Sequence, residues 1–373
     1  MRHIPPWGYR PDVVVFIADY PRQENDRDGM MQRILAVDSI FSAAPRLYLL
    51  VYFRRHWRRV AYSSGLVRVE RVNLFLHYRY VTQCFVAASC VYIHSVWNVM
   101  KVLPWIKKFR EKIIADAHGV VPEEMVFLGR TAWAAVCGAV ERVMVRNARL
   151  LVVVTQRMAD HFLRKYPAEI DISRVITLPN LDFRNSGESR VPRPEKGELR
   201  LIYAGGVHKW QNIDLMLATL RRLTDVRRDW LASLYVPPEA VQEVQEKVNR
   251  LECCSQVRVG SLLHGDVLRE YATADVGFVL REHTLLNEVA MPTKLVEYIT
   301  YGVIPIVLSP EIGDFRQHGY KYITVEDLLD PRKLARQTLE EMRQSNFECL
   351  ASIRCLATSA RQSLEAYCKA RQL

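Results

Sequence analysis

The sequence predicts an α/β fold built as two doubly wound domains. Three observations carry this. Apolar runs of strand length alternate with helical patterns from end to end. Several of the runs, such as Val13–Ala18 and Leu47–Tyr52, are apolar at every position, as strands buried on both faces of a parallel sheet must be. The alternation lapses once, between Asn180 and Glu198, where Asn185, Gly187, Pro192, Pro194 and Gly197 leave no apolar period. With 373 residues, one core on each side of that break is the natural division. The domains are placed at 1–185 and 199–373, with 186–198 as a linker. The last helix can pack back on the first domain.

Val13–Ala18 is the first apolar run, then a charged loop leads to a helix opening at Gly29. Leu47–Tyr52, Val91–His94 and Lys112–Asp116 are further strands, Thr131–Asn147 a helix and Leu150–Thr155 a strand. After the break the pattern restarts with a strand at Leu199–Ala204 and a helix at Asp214–Leu223. Trp230–Tyr235, Val257–Gly260 and Val276–Leu280 are strands, and the end, Pro331–Leu373, is helical. Before that end, Pro292 suits the first position of a helix and Gly302 its C-terminal cap, with a buried strand at Val303–Leu308 directly after.

Composition narrows the class. About half the residues are apolar and a quarter charged, as in ordinary globular proteins. The eight cysteines show no C-x-x-C pair and no zinc spacing, so they read as reduced thiols. The N-terminus lacks the apolar core of a signal peptide, and no apolar run is long enough to span a bilayer. A cytoplasmic protein is expected, peripheral on the inner face of the membrane. Residues 1–180 hold 26 Lys/Arg against 15 Asp/Glu, which accounts for the whole net charge of +11. Its densest parts are Phe53–Arg59 and Trp105–Lys112. Basic residues among Trp and Phe suit an anionic membrane surface. Nucleic acid is not expected as a partner, because no DNA- or RNA-binding motif accompanies the charge.

Two segments carry chemistry. A helix that starts in a loop presents free N–H groups to an anion. Glu297 lies one turn inside the Pro292 helix, on the face of Thr293, so one helix offers N–H groups to a diphosphate and a carboxylate to ribose hydroxyls. The second domain opens with a strand ending in Gly205-Gly206, where backbone can approach a phosphate, and Lys209 comes next as a point charge. Neither G-x-G-x-x-G nor a P-loop is present.

The chain resembles a GT-B glycosyltransferase, two Rossmann-like domains facing across a cleft. It is most similar to glycosyltransferase family 4, the retaining enzymes of bacterial capsule, O-antigen and exopolysaccharide synthesis. The resemblance rests on Gly205-Gly206, Asp275–Arg281, Pro292-Thr293-Lys294 with Glu297-Tyr298, Gly302 and Pro305, Ser309–Phe315, and Asp116-Ala117-His118-Gly119 in the first half. It implies a role for each matched residue. Glu297 binds the donor ribose, Thr293 and Lys294 hold the diphosphate, and His118 contacts the transferred sugar. Lys209 or Gln211 takes the slot of the family's phosphate-binding lysine. Asp28-Gly29 fills the loop after the first strand. Arg281 ends a buried strand and faces the cleft, and His94-Ser95 borders it. One departure stands out: the family's first glutamate, seven residues before Glu297, is Val289 here. Glu288 or Asn287 is the substitute expected to reach the sugar hydroxyls.

The expected reaction moves a sugar from a nucleotide-diphosphate donor to a glycan or a polyprenyl-diphosphate-linked glycan. The resemblance implies retention without a metal. No cofactor is expected beyond the nucleotide sugar. The alternatives are a sugar-nucleotide epimerase of the same fold and a non-catalytic glycan-binding or partner subunit.

Overall fold

The computed structural model describes residues 13–21, 29–181 and 197–369. The chain divides into two compact units, Met1–Arg184 with Leu356–Leu373, and Asn185–Cys355. The residues expected to form a linker lie almost wholly outside the described ones, as does Asp28.

The first unit is an eight-stranded sheet: β1 (Val14–Ile17), β2 (Arg46–Tyr52), β3 (Val60–Ser64), β4 (Val67–Asn73), β5 (Cys90–His94), β6 (Ile113–Ala117), β7 (Leu150–Val153) and β8 (Val175–Thr177). The order is β3-β4-β2-β1-β5-β6-β7-β8. Every pairing is parallel except β3 with β4. β1 sits centrally, pairing β2 on one side and β5 on the other, so the order reverses there. Such a reversal is where open α/β sheets place their ligands. Phe16, Tyr48, Tyr92 and Val152 form the core, joined by Leu364 and Cys368 from the Arg336–Lys369 helix.

The β3–β4 hairpin has no counterpart among the strands expected from sequence. Its outer strand is exposed at all five positions and its inner one alternates Val with Arg and Glu, so neither looks like a buried run. An edge strand needs only one buried face. In the Trp105–Lys112 segment Lys107, Lys108 and Arg110 are exposed, as a basic surface requires, but the apolar part is not. Trp105 and Ile106 are fully buried, and the indole N–H of Trp105 donates to Thr82 Oγ1 at 2.8 Å. The Lys112 ammonium donates to the carbonyls of Val86 and Ala88 at 2.7 Å each, closing the end of the Tyr78–Ala87 helix.

The second unit is a six-stranded, wholly parallel sheet: β9 (Leu199–Ala204), β10 (Trp230–Tyr235), β11 (Val257–Gly260), β12 (Val276–Val279), β13 (Ile304–Val307) and β14 (Ile323–Thr324). The order is β11-β10-β9-β12-β13-β14, again with the first strand central. Its core gathers Leu220, Trp230, Phe278, Ile306 and Leu339. The helix expected after Pro292 runs Thr293–Thr300, and Gly302 turns the chain out of it at φ +67°. What seats that helix is Tyr298, fully buried, whose hydroxyl donates to the Ile202 carbonyl at 3.2 Å. Gly277 makes the room, because a Cβ there would lie 2.4 Å from the Tyr298 ring.

Candidate functional site

At the C-terminal end of β9 the structure collects cations without acids. The Lys294 ammonium reaches back from its helix to lie 3.7 Å above the Tyr203 ring, and donates to Gln211 Oε1 at 3.3 Å. It rests against Gly205, where a Cβ would come within 2.9 Å of Nζ. Glycine is needed there twice over, since its φ is +153°. Arg281 approaches from the end of β12 and donates to Asn287 Oδ1 at 3.2 Å. Among the described residues, neither cation has a carboxylate within ion-pair distance. Burial pushes the Lys294 ammonium well below its ordinary range, and the charge of Arg281 pushes it further, with Glu297 opposing. Burial likewise lowers Arg281 to about 10. Two like charges held together and only partly exposed favour an anion beside them.

It is the Lys294 side chain, and not that of Lys209 or Gln211, that lies against Gly205. Lys209 stands exposed on the short turn after Gly206, while Gln211 is buried as the partner of Lys294. Asn212 in that turn takes the left-handed conformation, and its amide donates to the Leu280 carbonyl at 2.8 Å, tying the turn to the strand end of Arg281. Gly206 closes the loop by accepting the Tyr203 hydroxyl proton at its carbonyl.

Glu297 is half-buried one turn into the helix, with Oε1 2.8 Å from His264 Nε2 and the Tyr271 hydroxyl beside it. Sequence reading misses His264. Its only signal there is its position shortly after β11, at the same sheet edge. Thr293 opens the helix and is partly buried. The loop before it shows how the chain accommodates valine at position 289. That side chain is in the core, 2 % exposed. Asn287 is buried and committed to the loop, donating to the Glu282 carbonyl at 2.7 Å and to Thr284 Oγ1 at 3.2 Å. Glu288 turns outward to His283 at 2.9 Å.

The first unit builds a different centre at the ends of β5 and β6. Asp116 is fully buried, and Arg33 addresses both its oxygens, with Nε–Oδ2 3.0 Å and Nη2–Oδ1 3.2 Å. The Tyr92 hydroxyl donates to Oδ2 at 2.9 Å. His94 and His118 flank it, with Nδ1 atoms 3.4 and 3.7 Å from the carboxylate. Burial would raise the Asp116 carboxyl, but the Arg33 charge, with the two histidines, holds it well below the usual range. Burial lowers the His94 imidazole, opposed by Asp116, and neither of its ring nitrogens has a well-formed hydrogen bond. Ser95, directly after it, has φ +69°, a strained conformation of the kind found at ligand sites. The ligand atoms of His94, Asp116 and His118 lie within 4.8 Å of one another. Against a shared cation stands the Arg33 guanidinium, whose charge already neutralises Asp116. Gly29, exposed, is the first residue of the Gly29–Ile40 helix that carries Arg33.

Neither a family model nor a curated protein matches the sequence. Solved structures match nearly all of it. Sucrose-phosphate synthase from Thermosynechococcus elongatus aligns at TM-score 0.66 and 13 % identity, over 95 % of this chain and 97 % of that one. WaaG, a glycosyltransferase involved in lipopolysaccharide biosynthesis, gives 0.64 and 14 %, over 95 % and 98 %. Anabaena HepE, solved in complex with UDP-glucose, gives 0.65 and 11 %, over 95 % and 100 %. The chain has the GT-B fold.

Within that fold the expected site residues divide. In the second unit, Gly205, Gly206, Arg281, Thr293, Lys294 and Glu297 gather at one sheet edge, whereas Lys209 is exposed and Glu288 is spent on His283. In the first unit His118 stands with His94 and Asp116, and sequence reading misses Arg33 and Tyr92. Arg33 lies 83 residues from Asp116, a separation no local pattern reports.

Proposed function

We propose that this chain is a glycosyltransferase that takes a sugar from a nucleotide-diphosphate donor. One observation carries the reading: Lys294 and Arg281, enclosed without carboxylates beside Gly205, share a helix end with the Glu297 carboxylate. The diphosphate is the anion those cations lack, and Glu297 is the hydroxyl acceptor one turn away. The cations stabilise the charge that develops on the leaving diphosphate. HepE, whose fold this chain shares, was solved with UDP-glucose, which supports the same donor class here.

The finer reading follows the resemblance: retention, no metal, and a glycan or polyprenyl-diphosphate-linked acceptor in cell-surface polysaccharide synthesis. His118 is assigned to the sugar end of the reaction. Asp116 lies 3.7 Å from its Nδ1.

A second reading has one specific support. With Val289 in the core and Asn287 spent on the loop, no carboxylate takes the place of a sugar-side acid among the described residues. That favours a non-catalytic subunit over an epimerase, and donor hydrolysis by the purified chain decides against it.

A thermal-shift screen with UDP, GDP and ADP sugars tests the donor site, since binding raises the melting temperature by mass action. One nucleotide class should stabilise the protein. Glu297→Ala should abolish that shift, and His118→Ala should keep it while losing transfer. Full turnover in Glu297→Ala contradicts the assignment.

A further inference from the structure

The solvent side of the Thr131–Asn147 helix is apolar, although a helix with one face in a core ordinarily turns polar residues outward. Ala132, Ala135, Val136, Ala139 and Val143 recur at helical spacing on one face, and all are exposed. Trp133 stands at its edge, 52 % exposed, with the Trp97 ring 6.3 Å away. The preceding helix, Val121–Phe127, and its turn add Val126, Phe127 and Leu128, at 57, 41 and 42 % exposure. The opposite side of the long helix is already spent, since Cys137, Val140 and Met144 are buried. So the outer face is not a core face left unpacked. It is a second apolar face, continuous with the turn before it.

The surface charges on the helix itself have one sign. From Met125 to Arg149 the only acid is Glu141, which is fully buried and holds Lys165 and the Tyr166 hydroxyl. Arg130, Arg142, Arg146 and Arg149 are all exposed. Arg142 lies 3.3 Å from Glu169 and Arg149 3.9 Å from Glu111, so Arg130 and Arg146 are the cations that a second copy of the helix, with no exposed acid of its own, would leave unmet. An anionic bilayer supplies both a hydrocarbon boundary for the apolar residues and phosphates for the rim. Among the described residues no helix is long and apolar enough to cross a membrane, so the helix can only lie along its surface.

We infer that this face docks on an anionic lipid surface, with Phe127, Trp133 and Val136 inserted at the headgroup boundary and the arginines on the phosphates. The inserted face starts close to the chemistry, since the Val121 helix begins three residues after His118. A lipid-linked substrate held in that surface arrives beside the histidine. The surface expected from sequence is another one. There Trp57 is 76 % and Phe53 44 % exposed among arginines, on loops held by the Asn73 amide through the carbonyls of Phe53 and Arg55. That patch is the control.

The test is co-sedimentation of the full chain with vesicles of equimolar phosphatidylcholine and phosphatidylglycerol, against phosphatidylcholine alone. The chain should bind the anionic vesicles, less so at high salt. Trp133→Glu with Val136→Glu should weaken binding by about tenfold or more, with an unchanged thermal melt because both side chains are exposed. Phe53→Ser with Trp57→Ser should leave most of the binding. Equal binding by the Trp133/Val136 variant overturns the inference, as does loss through Trp57 instead. So does a dimer in solution that this variant alone dissociates. Vesicle binding needs no sugar donor, so it succeeds or fails separately from the transferase reading.

Discussion

The two units treat buried charge in opposite ways. In the first, Asp116 is surrounded by its own neutralisers: Arg33 across both oxygens, Tyr92 on one, and two histidines alongside. In the second, Lys294 and Arg281 are brought together and left uncompensated. A satisfied charge holds a scaffold in place, whereas an unsatisfied pair marks where a ligand of opposite sign belongs. The difference separates positioning groups from binding groups better than burial does, since both centres are enclosed.

The sharpest way to break this contrast is to remove one charge from each unit. Asp116→Asn leaves Arg33 buried with half its partner gone, and should cost about 3–5 kcal/mol of stability. Urea denaturation of the isolated variant reads that loss. Lys294→Met should behave oppositely. It removes an unpaired cation and keeps the stem, so the melting temperature should hold or rise. The same variant should lose about 1.5–3 kcal/mol of nucleotide-sugar affinity, the strength of a hydrogen bond to a charged group. Titration calorimetry measures it. If Lys294→Met unfolds the protein while Asp116→Asn does not, the two centres have been assigned the wrong way round.

The same contrast explains how far sequence reading could go. The parallel strands and the Pro292 helix were legible because their signals are local: apolar runs, a proline at the start, a glycine at the end. Glu297 could be placed on that helix by spacing alone. The side chain that lies against Gly205 could not. Lys209 comes after the glycines in sequence, but Lys294 reaches Gly205 in space, 89 positions later. The Arg33–Asp116 pair and the seating of Tyr298 over Gly277 are non-local in the same way. Charge clusters misled for a further reason. Phe53–Arg59 and Trp105–Lys112 look alike as strings, yet Trp57 stands in solvent and Trp105 lies in the core. Hydropathy alone cannot say which side of an element faces its neighbours.

The smallest effect is the most discriminating. Burial and Arg281 depress Lys294 in the unliganded protein, so part of its population is deprotonated at a pH still below 10.5. An anion at the site restores the charged form. Binding of a nucleotide sugar, whose phosphodiester groups do not titrate there, should therefore take up protons, by at most about one per site. Calorimetry in buffers of different ionisation enthalpy counts them. The signs of two pH dependences must then oppose each other. Affinity should fall as pH rises through the depressed lysine value, because the cation is lost. Stability of the unliganded protein should rise over the same window, because the unfolded chain binds the proton that the folded one has given up. Lys294→Arg keeps its proton throughout and should flatten both curves. Proton uptake that persists in Lys294→Arg would move the site to another titrating group, and the contrast between the two units would lose its second half.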